Sequence, residues 1–249
     1  MISAMKPESL LAQITDDADL MVAAAQRAGW DARVPGLEWD VRTVVTHTGA
    51  VHRWSADVVR RALPTNETGG SSAFWPDGLP DAELPGWIRD GAHALTTLLG
   101  QVTDGLACFT FLPGVPPRRF WIHRQAHETA VHRLDVELAG GGPVTAFAPQ
   151  FAQDGLTELV GGFATEPGFA TSRPGRLLLA CTDGPSWLVE FGGERTRTTG
   201  DVPADTKADA VVGGDSDALY RWVWNRPSPA AVESGDPGTL ASWRAVRIL

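Results

Sequence analysis

The 249-residue sequence predicts an N-terminal four-helix bundle at 1–170 and a small α+β domain at 171–249. Before residue 170, apolar residues recur at intervals of three and four, which is the period of a helix with one buried face. After residue 170 the apolar runs shorten and are separated by turn signals, as is typical of strands. The domain boundary is expected inside 165–175, near residue 170, where the pattern changes.

Four long helices are predicted in the first part, and most have a recognisable beginning or end. The second begins at Val41, because Asp40 is a good N-cap, and extends to about residue 62. The third begins at Pro85, a favoured residue of the first turn. The fourth extends over about 119–139 and ends at three glycines. The apolar stripes of the first helix and of a fifth, shorter helix are Leu11, Ile14, Ala18, Met21 and Ala25, and Phe151, Leu156, Leu159, Val160 and Phe163, respectively.

A small sheet followed by two helices is predicted in the second part. Strands are expected at 176–181, 187–191, 196–199 and 208–212. The first two form a hairpin, because an Asp-Gly turn signal at 183–184 separates them. Asp215 and Asp236 stand where they can cap the two final helices. Strands and helices in this order define an α+β domain.

The composition excludes several classes of protein. Hydrophobic residues make up 43% and charged residues 20%, which is ordinary for a globular chain and excludes intrinsic disorder. A net charge of −9 and only two lysines argue against a nucleic-acid partner. No apolar stretch is long enough for a membrane span, and no signal peptide is visible. Two cysteines, Cys108 and Cys181, cannot build a disulfide framework, so a cytoplasmic location is expected.

Histidines are concentrated on two of the predicted helices. The second helix carries His47 and His52, and the fourth carries His123, His127 and His132. Residues four apart on a helix share one face. The fourth helix therefore offers two pairs of candidate metal ligands, His123 with His127 and Glu128 with His132.

Helix geometry restricts how these side chains can combine. His127 and His132 are about 140° apart around the helix axis, so the two pairs cannot serve one ion. The same offset separates His47 from His52. One histidine of the second helix and one pair of the fourth would leave an open coordination position, as in catalytic zinc sites. Periodicity does not choose between the pairs, and the alternative is that these histidines are hydrogen-bonded core residues.

Two segments resemble a known family. The segment 39–47 (WDVRTVVTH) resembles the W-x-V-R-x-V-x-x-H motif of the mycothiol-dependent maleylpyruvate isomerase family, which belongs to the DinB-like helical-bundle superfamily. The segment 127–135 (HETAVHRLD) resembles the second motif of that family, H-E-x-x-V-H-R-x-D. The segments 217–225 and 235–240, followed by Trp243, look like its small C-terminal domain, which is similar to sterol-carrier proteins. The resemblance covers essentially the whole chain.

The resemblance implies a metal and a cosubstrate. Carried over by motif position, the ligands of a divalent metal, most commonly zinc, are His47, Glu128 and His132. Nickel, iron and manganese suit the same ligands. Neither cysteine lies on a predicted site helix, so the reactive thiol is expected to come from a cosubstrate, which the resemblance implies is mycothiol. Metal coordination makes such a thiol nucleophilic near neutral pH.

Nearby charged residues are candidates for contacts with the substrate or with a ligand. Arg118 and Arg124, at the start of the fourth helix, are candidate contacts for an anionic substrate. Asp135 follows His132 by three residues and shares its face, so it can orient that ligand by a hydrogen bond. Arg133 lies about 100° from His132 around the helix and is expected to face outward.

These observations predict an enzyme that binds a metal and uses a thiol. It would be a transferase or isomerase acting on a small electrophilic molecule, with a low-molecular-weight thiol as its second partner. One alternative is a metal-dependent hydrolase with the same ligands and with His127 or Asp135 as general base. Another is a non-enzymatic protein that carries an apolar ligand and uses its histidines only for packing.

Overall fold

Four long helices form the first of two units into which the chain divides. The computed structural model describes residues 5–66, 69–166, 169, 173–192 and 195–246. The first unit is Lys6–Thr145, and Ala146–Leu249 forms the second, which contains a five-stranded sheet with helices. This architecture confirms the predicted fold class. The division lies earlier than the boundary expected near residue 170, because the fifth helix belongs to the second unit and packs there against the sixth.

The bundle helices begin close to where the sequence signals place them. They are α1 (Pro7–Ala28), α2 (Val41–Arg61), α3 (Leu84–Gln101) and α4 (Pro117–Ala139). Asp40 caps α2 as predicted, since its Oδ1 accepts a hydrogen bond of 2.8 Å from the Thr43 amide. Across the described part of the chain, no helix combines the length and apolar character needed to cross a membrane.

The second unit contains a mixed sheet. Its elements are α5 (Pro149–Gly161), β1 (Gly175–Cys181), β2 (Ser186–Phe191), β3 (Arg197–Val202), β4 (Ala210–Gly214), α6 (Ser216–Val223), β5 (Val232–Gly235) and α7 (Pro237–Arg244). The strand order is β3-β2-β1-β4-β5, with β1 and β4 parallel and the other neighbours antiparallel. The predicted hairpin is present as β1 and β2. Strand β5 was not predicted, because its four residues are all exposed and show no alternation of apolar and polar side chains.

All four long helices contribute to one apolar core in the first unit. Met21 of α1, Val44 of α2, Ile88 of α3 and Val136 of α4 belong to the same buried cluster. Three partly buried tryptophans pack against this cluster: Trp30, Trp39 and Trp87. Burial of this apolar surface is the main favourable contribution to the stability of the bundle.

An ionic cluster lies inside the same bundle, between α1 and α4. Arg133, predicted to face outward, is only 1% exposed. Its Nε lies 2.8 Å from Asp17 Oδ1, although the two groups are not aligned as a hydrogen bond, and its Nη1 donates to Glu137 Oε2 at 2.6 Å. The prediction was wrong because α1 packs against α4 and covers Arg133, and Asp17 of α1 supplies the countercharge.

Close packing of α2 against α3 requires glycine at two positions. The Arg53 guanidinium lies 3.9 Å from the centroid of the Trp87 ring and donates to the carbonyls of Gly49 and Trp87. A Cβ atom at Gly49 would overlap the Trp87 ring, and one at Gly91 would overlap the Arg53 guanidinium. The two helices can therefore approach this closely only because neither glycine has a side chain.

We expect Gly49→Ala to destabilise the first unit by about 1–3 kcal/mol, the usual cost of adding atoms to a packed interior. The added methyl group would displace the indole of Trp87 from Arg53. Gly86→Ala is the matched control on α3, since nothing lies within 4 Å of a Cβ added there. Urea unfolding of both variants beside the wild type measures the difference, and equal stability of Gly49→Ala and wild type would contradict this packing.

Candidate metal centre

Three side chains with metal-binding atoms meet between α2 and α4. His47 lies on α2, and Glu128 and His132 lie one turn apart on α4. The Nε2 atoms of His47 and His132 are 3.1 Å and 3.3 Å from the same atom, Glu128 Oε1. One donor atom from each residue lies within 4.8 Å of the other two. The structure thus brings together one of the combinations that helix spacing allows, a histidine of α2 with the Glu128–His132 pair.

The geometry and chemistry of this cluster fit a divalent ion. A tetrahedral ion with bonds of about 2.0–2.2 Å holds its ligand atoms roughly 3.3–3.6 Å apart. The two distances to Glu128 Oε1 are close to that separation. Two imidazoles and a carboxylate are a ligand set of catalytic zinc sites, which keep the fourth position open. The three side chains remain 9–22% exposed, so small molecules can approach them.

Each of the two candidate ligands on α4 has a second polar partner that fixes its orientation. His132 Nδ1 donates a hydrogen bond of 2.9 Å to Asp135 Oδ2, which leaves Nε2 directed at the cluster. Arg124 Nη2 donates at 3.0 Å to Glu128 Oε2, which leaves Oε1 directed at the two histidines. Such outer partners of metal ligands hold the ring or carboxylate in place and tune its basicity. Asp135 and Arg124, both candidates from the sequence, therefore lie beside the ligands.

Mutual attraction between these charges shifts the pKa values of two ligands. Burial disfavours a charged carboxylate, but hydrogen bonds from His132 and His47 and the charge of Arg124 hold the pKa of Glu128 well below its ordinary value. Burial also disfavours a charged imidazole, but Asp135 and Glu128 outweigh it and raise the pKa of His132 to about 9. Without metal, His132 is therefore protonated at neutral pH, and a metal must displace that proton.

Trp39, which was not predicted as a site residue, contacts both histidines of the cluster. Its ring centroid lies 4.9 Å from that of His47 and 5.9 Å from that of His132, and the latter pair is stacked. The two imidazoles contact each other edge to face at 5.0 Å. Trp39 precedes the N-cap of α2, outside any helical stripe, so periodicity could not find it. Its place in the W-x-V-R motif was the only available signal.

His52, the alternative ligand on α2, is hydrogen-bonded inside the bundle instead. It is fully buried, and its Nε2 lies 2.9 Å from Thr129 Oγ1. The Thr129 hydroxyl donates to the Gln125 carbonyl, so its oxygen accepts from His52 Nε2–H. Burial lowers the pKa of His52 to about 3, which keeps this imidazole neutral. His52 thus links α2 to α4 without a position among the three converging donors.

Three further residues considered from the sequence lie outside this cluster. His123 and His127 are buried on α4 and do not belong to the group formed by His47, Glu128 and His132. Arg118 lies about 15 Å from Glu128 along the helix axis, at 1.5 Å per residue. Its guanidinium donates to Asp104 at 3.2 Å and to the Leu99 carbonyl at 3.4 Å. Arg118 therefore neutralises a loop carboxylate at the far end of α4.

We expect zinc binding at pH 7.5 to release about one proton from His132, because the ion replaces the hydrogen on Nε2. Asp135→Asn should reduce this release, since the loss of the negative charge lowers the pKa of His132. Calorimetric titration with zinc in two buffers of different ionisation enthalpy counts the protons. Asp19→Asn, which removes an exposed carboxylate paired with Arg89, is the control. Equal proton release by wild type and Asp135→Asn would contradict the assignment.

Comparison with known proteins finds two family models that match successive parts of the chain. Residues 11–137 match the family model described as mycothiol maleylpyruvate isomerase N-terminal domain, and residues 150–242 match the MDMPI C-terminal domain. A crystal structure of the mycothiol-dependent maleylpyruvate isomerase shares the fold, with a TM-score of 0.64 and 14% identity over 95% of this chain and 97% of that chain. A histidine-to-alanine mutant described under that name has a TM-score of 0.63 at the same identity and coverage. Among curated proteins, none matches significantly. Since the N-terminal model alone spans half of the sequence, the chain belongs to the mycothiol maleylpyruvate isomerase family.

Proposed function

We propose that this protein is a metal-dependent enzyme that uses mycothiol to isomerise or conjugate a small electrophilic substrate. The observation that carries the proposal is the convergence of the His47 and His132 Nε2 atoms on Glu128 Oε1. Family membership adds the thiol and the reaction class, because the solved relatives are named as mycothiol-dependent maleylpyruvate isomerases. Maleylpyruvate is therefore the first substrate to test.

Neither of the two cysteines, both in the described part of the chain, offers a ready thiol nucleophile. Burial raises the pKa of the Cys181 thiol to about 11, and it also raises the pKa of Cys108. Cys181 lies in the second unit, where its Sγ donates to Asp183 Oδ1 at 3.2 Å. Neither thiol forms a thiolate readily at neutral pH. A divalent ion at the candidate centre would instead activate the thiol of a bound cosubstrate, by lowering its pKa.

Residues around the candidate centre have distinct parts in this proposal. His47, Glu128 and His132 would hold the ion, Asp135 orients His132, and Arg124 orients Glu128. The Arg124 guanidinium also brings positive charge beside the cluster, where it would attract an anionic substrate. Arg118 has no part in the proposal, because its guanidinium is engaged with Asp104 at the other end of α4.

The proposed isomerisation needs only addition and loss of the thiol. The thiolate sulfur forms a bond to one carbon of a cis double bond, and the electron pair moves onto the adjacent carbonyl oxygen. Rotation about the resulting single bond follows. The electron pair then returns, the carbon–sulfur bond breaks, and the thiolate leaves unchanged with the trans product. In a transferase the adduct would be protonated and released.

The arrangement favours this reaction over the two alternatives. A metal-dependent hydrolase needs a base for the attacking water. Asp135, one candidate base, is fully buried and hydrogen-bonded to His132, and His127, the other, is also fully buried. A carrier of apolar ligands would have no need for three converging donors with matched outer partners. We therefore retain the thiol-dependent reaction as the proposal.

The wild-type protein, purified without chelator, should contain about one divalent ion per chain. His47→Ala, Glu128→Gln and His132→Ala should each remove the ion and the thiol-dependent activity while the chain stays folded. His93→Ala, which replaces an exposed histidine on α3, is the control and should keep both. ICP-MS gives the metal content and circular dichroism checks the fold. Stoichiometric metal in all three ligand variants would refute the proposed site.

The second test separates cosubstrate thiol from protein thiol. The Cys108→Ser/Cys181→Ser double variant should retain wild-type turnover of maleylpyruvate with mycothiol, because neither cysteine is a nucleophile in the proposal. Omission of mycothiol should abolish turnover by both proteins. The change in ultraviolet absorbance as the double bond isomerises follows the reaction. Turnover without any thiol would favour the hydrolase, and loss of turnover in the double variant would implicate a protein cysteine.

A further inference from the structure

We propose that Trp39 is a positioning residue of the candidate metal centre: its indole holds the imidazole of His47 in the orientation that directs Nε2 at Glu128. The inference rests on the proposed function, since it concerns the same three ligands. It adds a residue outside the ligand set and outside the hydrogen-bonded partners of those ligands.

The two imidazoles of the cluster are held in different ways. His132 is fixed at both ring nitrogens, by Asp135 at Nδ1 and by Glu128 near Nε2. For His47, the polar contact in the described structure is the one between Nε2 and Glu128 Oε1. Metal-binding histidines usually have their second nitrogen fixed by a hydrogen bond. Contact with the rings of Trp39 and His132 takes that place at His47.

The indole can orient a neighbouring ring because the backbone of Trp39 is itself fixed. The Trp39 carbonyl accepts a hydrogen bond of 3.0 Å from the Val34 amide, and the next residue, Asp40, caps α2. Trp39 also packs against the apolar core of the bundle. The side chain of Trp39 therefore contacts both the apolar core and the imidazoles of His47 and His132.

Helix geometry brings His47 within reach of this indole. Side chains on a helix lean toward its N-terminus, so the imidazole of His47 is directed back toward the beginning of α2. Trp39 stands immediately before the N-cap at that end. The resulting ring contact, with centroids 4.9 Å apart and planes at 51°, is in the range of favourable aromatic pairs. The same indole stacks on His132, so it contacts a ligand from each of the two helices.

Simple core packing is the competing explanation, and the chain offers a matched control for it. Trp30 is also partly buried and packs against the same apolar cluster as Trp39. Within the described residues, Trp30 makes no ring contact with either histidine of the cluster. Trp30→Leu therefore removes an indole from the same apolar core, as Trp39→Leu does, but it removes no contact with the imidazoles of His47 and His132.

The experiment compares Trp39→Leu, Trp39→Phe and Trp30→Leu with the wild type by cobalt(II) titration. Visible absorption reports both affinity and coordination geometry. Trp39→Leu should weaken cobalt binding by about 10- to 100-fold, the usual effect of losing an outer partner of a ligand. It should also change the intensity of the cobalt spectrum. Trp39→Phe should restore most of the affinity, and Trp30→Leu should bind like wild type even if it unfolds more easily. Equal affinity and spectrum for Trp39→Leu and Trp30→Leu would overturn the inference.

Crystal structures of the metal-free proteins separate this inference from the proposed function. In Trp39→Leu the imidazole of His47 should turn away from Glu128 or occupy several orientations. In Trp30→Leu it should keep the wild-type position, with Nε2 about 3.1 Å from Glu128 Oε1. An unmoved His47 in Trp39→Leu would overturn the positioning role. Failure of the wild type to bind cobalt would refute the metal proposal, while the metal-free structures would still decide the role of Trp39.

Discussion

The pairing of buried charges on α4 is the constraint on which the bundle and its candidate site depend. Seventeen of the 23 residues of α4 are buried, and they include Arg124, Arg133, Asp135 and Glu137. An unpaired charge in the interior costs several kcal/mol, so each of these groups needs a partner. Arg133 forms ion pairs with Glu137 on its own helix and with Asp17 on α1, and the second pair links α1 to α4. The remaining charges, those of Arg124 and Asp135, lie beside the candidate metal centre.

The spacing of four residues along α4 accounts for most of the contacts in the candidate centre. Arg124, Glu128, His132 and Asp135 follow one another at intervals of four, four and three, so they share one stripe of the helix. Each member contacts the next, at 3.0 Å, 3.3 Å and 2.9 Å. The stripe orients its own two ligands, and α2 needs to contribute only His47. The ion pairs along this stripe offset the cost of burying its charges. The same contacts orient the side chains of Glu128 and His132, the two candidate ligands on α4.

The sequence predicted the features that depend on local patterns. Helix caps such as Asp40, the hairpin turn at 183–184 and the shared face of Glu128 and His132 are local properties, and periodicity or turn chemistry identifies them. It could not predict which faces of α4 meet α1 and α2, because that depends on how whole helices pack. Arg133 was placed outside for this reason. Trp39 was missed because it acts from a loop, and β5 because an exposed edge strand has no apolar pattern.

The charge of the completed centre suits the proposed chemistry. Glu128 and Asp135 contribute two negative charges, which Arg124 and a protonated His132 balance in the metal-free protein. A divalent ion that displaces the proton from His132 leaves one net positive charge, since its two charges and that of Arg124 face two carboxylates. The whole chain carries a net charge of −9, so such a centre would be a local attraction for anions. A thiolate cosubstrate and an anionic electrophile both need that attraction, whereas a carrier of apolar ligands would gain nothing from it.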